Sequence, residues 1–179
     1  MLRIVISGIL GKMGHSLVES AEDNAMCIVA GFDKTRTSIM DIPIYSDIDD
    51  LPTDIDCAID FSTPEGLTKI ADWCVSRMVP LISGTTGLSS DLKLRLKKYF
   101  STIPIFYAEN MSLGVGILSE FCKITAKTFP DADSEIIEIH HRHKVDSPSG
   151  TALYFANKIL EARNHRNDSI IFGRKGLTG

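Results

Sequence analysis

Between Glu138 and Asp146 the chain sets three histidines, an arginine, a lysine and two carboxylates within nine residues, then runs into Ser147-Pro148-Ser149-Gly150-Thr151-Ala152. Histidine titrates near neutrality and is the common general acid or base. Lys144 is a cation with movable protons, able both to donate one and to draw in a carboxylate. The run that follows reads as a helix start. Asp146 or Ser147 supplies the cap, while Ser149, Gly150 and Thr151 present N–H and hydroxyl donors that make a carboxylate seat. Cations beside a helix terminus suit a small polyanion, most simply a dicarboxylate.

Two other readings compete. His140, His141 and His143 are possible zinc ligands, but there is no H-E-x-x-H, and adjacent histidines on a strand splay apart. Alternation over 134–141 puts Ile137, Ile139 and His141 on one face and Glu138 and His140 on the other. No metal is therefore expected. The second is a solvated polar loop with a helix cap, which would suffice for one histidine and suits the whole cluster less well.

A second motif lies at the start of the chain. Gly8, Gly11 and Gly14 follow the apolar run 2–7 and open a helical pattern. Glycines in that position let the backbone turn tightly and approach a pyrophosphate, and the helix N-terminus adds N–H groups and partial positive charge. The spacing departs from G-x-G-x-x-G, so its place between strand and helix carries the reading. Asp33, at the end of the second strand, suits an adenosine ribose and NADH; Lys34 and Arg36 could instead face the 2′-phosphate of NADPH. Both nucleotides stay open. Segments 60–66 and 83–87 also follow strands, and their glycines and small hydroxyls leave room for a nicotinamide and its ribose.

The elements that must position these residues alternate. Strands are expected at 2–7, 27–32, 56–61, 79–83 and 103–108. Helices are expected at 12–23, at 64–77 with Pro64 at its start, and at 89–100 with Leu92, Leu96 and Phe100 on one face. The segment 34–46 reads as a polar loop. This is an α/β pattern: a Rossmann-like parallel sheet, covered on both faces. After residue 109 come a helix at 113–129 with Leu118, Phe121, Cys122, Thr125 and Phe129 on its stripe, a strand at 134–141, a helix at 150–163 and a short strand at 169–172. The expected division is a dinucleotide-binding domain over 1–109 and a smaller, incomplete α+β substrate-binding domain over 110–179.

Composition narrows the class. Of 179 residues, 44% are hydrophobic and 23% charged, an ordinary globular balance, and the net charge of −4 argues against a general nucleic-acid binder. Cys27, Cys57, Cys74 and Cys122 are scattered, without C-x-x-C, so no disulfide framework is expected. No apolar run reaches the ~18 residues of a membrane span, and no signal-peptide anatomy is present. The expected location is the cytoplasm.

With these motifs in hand, the chain resembles the dihydrodipicolinate reductase family over its whole length. The family signature E-x-H-H-x-x-K-x-D-[AS]-P-S-G-T-A is matched throughout from Glu138 to Ala152. The G-x-x-G-[KR]-M-G cradle appears as Gly8, Gly11, Lys12, Met13 and Gly14, and D-F-[ST]-x-P-E as Asp60, Phe61, Ser62, Pro64 and Glu65. G-T-T-G is Gly84 to Gly87, and A-x-N-[FMT]-S-x-G is Ala108, Asn110, Met111, Ser112 and Gly114, with Glu109 where a small residue or proline is more usual.

The resemblance implies NADPH- or NADH-dependent reduction of 4-hydroxy-tetrahydrodipicolinate to tetrahydrodipicolinate, in diaminopimelate and lysine biosynthesis. It implies His140 as acid/base residue and Lys144 as proton donor, with His141, Lys144, Gly150 and Thr151 on the substrate carboxylates. It implies Lys12, Asp33 and Lys34 on the nucleotide phosphates and ribose, Gly84 and Thr86 near the nicotinamide, and Phe61, Ala108 and Met111 among the cofactor contacts. Family members form homotetramers through a sheet in the second domain. Their chains continue past the stretch seen here at 173–179, so a fragment or a shortened copy is expected; a dinucleotide-binding chain without turnover is the alternative.

Overall fold

Leu2–Ser7 (β1) carries Val5 into one buried apolar cluster and Ile4 and Ile6 into another, the period-two alternation of a strand covered on both faces. In the computed structural model, which describes residues 1–142, 144, 146–164, 170–173 and 176–177, this strand lies in the middle of a seven-stranded sheet. Its companions are β2 (Met26–Phe32), β3 (Thr37–Ile39), β4 (Ile42–Tyr45), β5 (Cys57–Asp60), β6 (Leu81–Ser83) and β7 (Ile105–Tyr107). The spatial order is β3-β4-β2-β1-β5-β6-β7. All neighbours are parallel except β3 and β4, so the sheet is mixed and Rossmann-like. The chain winds outward in opposite directions from β1, and the order reverses between β1 and β5. At such a switch point an open α/β sheet leaves a crevice at the strand carboxyl ends.

Three helices flank the sheet: α1 (Lys12–Ala21), α2 (Pro64–Arg77) and α3 (Ser90–Tyr99). Sequence punctuation explains α2 well. The Thr63 side chain caps it by accepting the Gly66 N–H, Pro64 occupies the first turn, Glu65 lies there too, and Arg77 closes the last turn. Leu67, Ile70, Ala71, Trp73 and Cys74 are its buried face. On α3, Leu96 is buried and Leu92 packs against the same core, but Phe100 is 52% exposed and does not join them. It sits at the C-cap, beyond the last packed turn.

The segment expected as a polar loop, 34–46, instead holds the β3–β4 hairpin. Its two turn residues, Met40 and Asp41, both take positive φ (47° and 65°), as a two-residue hairpin turn demands. Neither is glycine, so the usual signal is missing. Pro43 also argues against a strand, yet β4 pairs with β2 only through Ile44 and Tyr45, leaving the proline outside that ladder.

The chain divides into two compact units, Met1–Glu109 and Asn110–Gly179. The second contains α4 (Leu113–Thr128), α5 (Gly150–Arg163) and a two-residue antiparallel pair, β8 (Asp146–Ser147) with β9 (Gly176–Leu177). Ser112 caps α4. Helices α4 and α5 pack together, with the small residues Ser119 and Ala126 buried on α4 and Ala152 and Leu160 buried on α5. The Arg163 guanidinium reaches the Ala126 and Phe129 carbonyls.

Three expectations are corrected here. The α4 stripe of Leu118, Phe121, Cys122, Thr125 and Phe129 is not the buried face: Leu118, Phe121 and Phe129 are 51%, 61% and 59% exposed. Small residues let α5 approach, and the bulky ones face away. Residues 134–141 form no strand, because no neighbouring strand among the described residues completes a ladder, and Ile137 and Ile139 stand exposed. Residues 170–172 are likewise outside any strand; Ser169 lies outside the described residues. No helix among the described residues is long and apolar enough to cross a membrane.

Candidate functional site

In the first unit the chain leaves β1 at Ser7 and turns at once. Gly8 has φ +79°, and a Cβ there would stand 2.5 Å from the Phe61 carbonyl oxygen. Gly8 N–H donates to the Phe32 carbonyl and Gly11 N–H to the Gly8 carbonyl, closing the turn into α1. A Cβ on Gly14 would lie 2.3 Å from the Ile9 oxygen, so α1 can press onto the turn only with glycine there.

A cavity of about 570 Å³ opens above this turn, at the ends of β1, β2 and β5. Gly8, Gly11, Asp33, Lys34 and Phe61, all singled out above, line it. So do Glu65 and Lys69 of α2, which sequence reasoning did not assign to it; helical spacing from the Pro64 start was the available signal. Asp33 turns its carboxylate onto the chain, with Oδ2 accepting the Leu10 N–H (2.9 Å) and Oδ1 the Lys34 N–H (2.8 Å). Glu65 is held below the usual carboxylate range, first by a bond from its own backbone N–H, then by Thr63, with Lys34 adding attraction.

The other nucleotide-site candidates, Met111 apart, stand elsewhere in this unit. Lys12 and Met13 are exposed on the first turn of α1, and Gly14 is buried beneath it. Gly84 is the floor for the Phe61 ring, where a Cβ would lie 2.2 Å from Cε1. Thr86 is exposed beyond β6, and Ala108 N–H bonds the Ser83 carbonyl. Met111 belongs to the second unit. Arg36 is engaged by Asp50 at 3.1 Å and lies over the Tyr45 ring.

Behind the turns at the ends of β5 and β6 lies Asp60, fully buried. It accepts three hydroxyls, from Ser62 (2.5 Å), Ser83 (2.8 Å) and Thr85 (2.6 Å). Thr85 Oγ in turn accepts the Ser62 N–H, so one carboxylate ties both turns together. Glu109, unusual for its motif, pairs with Lys93 at 2.7 Å and accepts the Tyr107 hydroxyl.

The residues present fit a dinucleotide. Two glycine positions leave no room for a side chain beneath the cavity, and the Ser7 hydroxyl, in the cavity wall, is buried with no partner among the described residues.

In the second unit the polar cluster is organised by Glu138. One of its oxygens receives His140 Nε2 at 2.8 Å, the other the Ser149 N–H at 2.8 Å. These bonds, His140 first, hold its carboxyl down to about 2. An ionised carboxylate only accepts, so Nε2 carries the proton and Nδ1 makes no hydrogen bond among the described residues. Ser149, not Asp146 or Ser147, caps α5, with Oγ accepting the Ala152 N–H at 3.0 Å. Gly150 and Thr151 therefore occupy the first turn, where N–H groups have no partner within a helix. Lys144 is half-buried, its N–H bonded to the His141 carbonyl, and His141 is exposed. His143 lies outside the described residues, among which no group of His, Cys, Asp and Glu could hold a metal ion.

Comparison with known proteins agrees with both units. The family profile described as "Dihydrodipicolinate reductase, N-terminus" matches residues 2–111, and "Dihydrodipicolinate reductase, C-terminus" matches residues 114–176. The 4-hydroxy-tetrahydrodipicolinate reductase of Clostridium tetani is 39% identical over 98% of this chain and 69% of its own length. That of Campylobacter fetus subsp. fetus is 37% identical over 100% of this chain and 72% of its own. The solved structure of a dipicolinate-bound dihydrodipicolinate reductase from Paenisporosarcina sp. TG-14 superposes with a TM-score of 0.77 at 28% identity, covering 97% of this chain and 72% of that one.

Proposed function

Because the chain belongs to the dihydrodipicolinate reductase family, we propose that it reduces 4-hydroxy-tetrahydrodipicolinate to tetrahydrodipicolinate, with NADPH or NADH held over the glycine turn. The residues to hold the nucleotide are Gly8, Gly11, Asp33, Lys34 and Phe61 around the cavity, with Lys12, Met13 and Gly14 in the first turn of α1, together with Gly84, Thr86, Ala108 and Met111. A reduced nicotinamide, when bound, supplies a hydride. The chain's own part is to bind a cyclic dicarboxylate, orient it, and deliver the proton with which the 4-hydroxyl leaves as water.

Lys144 supplies that proton and attracts a carboxylate; His141 and the first-turn N–H groups of Gly150 and Thr151 hold the acid groups. His140 exchanges protons at Nδ1, its other nitrogen being fixed. The single observation that carries this reading is the placement of Glu138, which bonds His140 Nε2 and Ser149 N–H at once. It thereby joins the imidazole to the N-terminus of α5. For the family's full-length members, a homotetramer goes with the same reading.

The test is nucleotide oxidation on substrate generated from pyruvate and aspartate semialdehyde, in wild type and Lys144→Ala. The variant is expected to lose about 10²-fold or more in kcat and to keep its nucleotide affinity within about twofold. Wild-type turnover in Lys144→Ala would overturn the assignment. Nucleotide binding without any turnover by the wild-type chain would reduce the function to dinucleotide binding.

A further inference from the structure

Resting on the dinucleotide reading above, we infer that Lys69 on α2, with Lys34, seats the 2′-phosphate of NADPH and is the residue that decides between the two nucleotides.

The argument starts from Asp33. A carboxylate at the end of β2 favours NADH when it reaches out to the ribose hydroxyls. Here both its oxygens are taken by backbone N–H groups, from Leu10 and Lys34, and the carboxylate is turned toward the glycine turn. The loop cation Arg36 is unavailable to a phosphate: it pairs with Asp50, stacks over Tyr45 and is absent from the cavity wall.

The wall carries two other cations. Lys34 follows Asp33 directly, and Lys69 comes from the second turn of α2, three residues after Gly66, which also lines the cavity. Neither ammonium has an ion-pair partner within 4.0 Å among the described residues.

Charge balance makes Lys69 decisive. The wall contains Asp33 and Glu65 against Lys34 and Lys69. With both lysines a phosphate dianion meets a neutral rim bearing two mobile ammoniums. Without Lys69 it meets one cation and two carboxylates, and like charge repels it. NADH, which lacks that phosphate, is indifferent to the change.

The experiment is fluorescence titration of the full chain with NADPH and with NADH, in wild type, Lys69→Gln and Lys69→Arg. Adenosine 2′,5′-bisphosphate and AMP serve as competitors that carry no nicotinamide. Lys69 is exposed on a helix, and circular dichroism confirms that each variant is folded. Lys69→Gln is expected to weaken NADPH and the bisphosphate about tenfold and NADH and AMP less than about twofold, with Lys69→Arg near wild type. Equal losses for both nucleotides, or none for NADPH, overturn the seat while leaving the dinucleotide reading intact. A wild-type chain that binds neither nucleotide overturns both.

Discussion

Glu138 makes a pH prediction that concerns one residue. Its carboxyl is held down to about 2 by His140 and Ser149. A depressed folded pKa stabilises the fold at every pH above the unfolded value, and that contribution drains away as pH falls through the folded one. Glu138→Gln removes the charge and one of the two accepting oxygens. The stability difference between wild type and variant should therefore shrink as pH falls from about 5 through about 2, to the remainder set by the lost acceptor. Thermal unfolding followed at a series of pH values reads it directly. A difference that does not change with pH would show that the hydrogen-bond geometry matters and the charge does not. The sequence marked His140 and Lys144 because their types are reactive anywhere. It did not mark Glu138 as the link between His140 and α5, since a carboxylate two residues from a histidine is common and only the fold brings Ser149 N–H to its other oxygen.

At the scale of elements, Asp60 is to the first unit what Glu138 is to the second. Three hydroxyls from two strand-end turns converge on it in a fully buried place. Asp60→Ala leaves those hydroxyls without their acceptor and is expected to cost about 3 kcal/mol in urea unfolding, with Asp60→Asn costing less because its amide oxygen still accepts. Nucleotide affinity should fall with it, since Ser62 lines the cavity; an unchanged unfolding midpoint in Asp60→Ala would sink the argument. Elements whose signals are local were legible in the sequence: α2 is bounded by Thr63, Pro64 and Arg77, and β1 by its apolar run ending at Gly8. Elements whose signals are tertiary were not. The hairpin turns on Met40 and Asp41: aspartate accepts positive φ, but methionine does not favour it and no glycine marks the turn. The apolar alternation of 134–141 looks like a strand but has no ladder partner among the described residues. The buried side of α4 is set by the close approach of α5 at Ser119 and Ala126 rather than by the bulk of its apolar residues.

At the scale of the whole molecule, that last reversal has a consequence. Leu113, Ile117, Phe121 and Ile124 follow one another at spacings of four, four and three along α4, a single helical face, with exposures of 78%, 50%, 61% and 60%. Scattered exposed apolar residues are ordinary, but a contiguous ridge is an adhesive surface. An environment-sensitive apolar dye should therefore bind the folded chain and fluoresce. Phe121→Glu puts a charge in the middle of the ridge without touching the packed side of α4, so its unfolding midpoint should stay within about 2 °C of wild type. Its dye fluorescence should fall by about half or more, because burying a dye against that face now also means desolvating a carboxylate. If fluorescence is unchanged while the midpoint holds, the dye binds elsewhere and the α4 ridge is not the dominant apolar surface of the molecule.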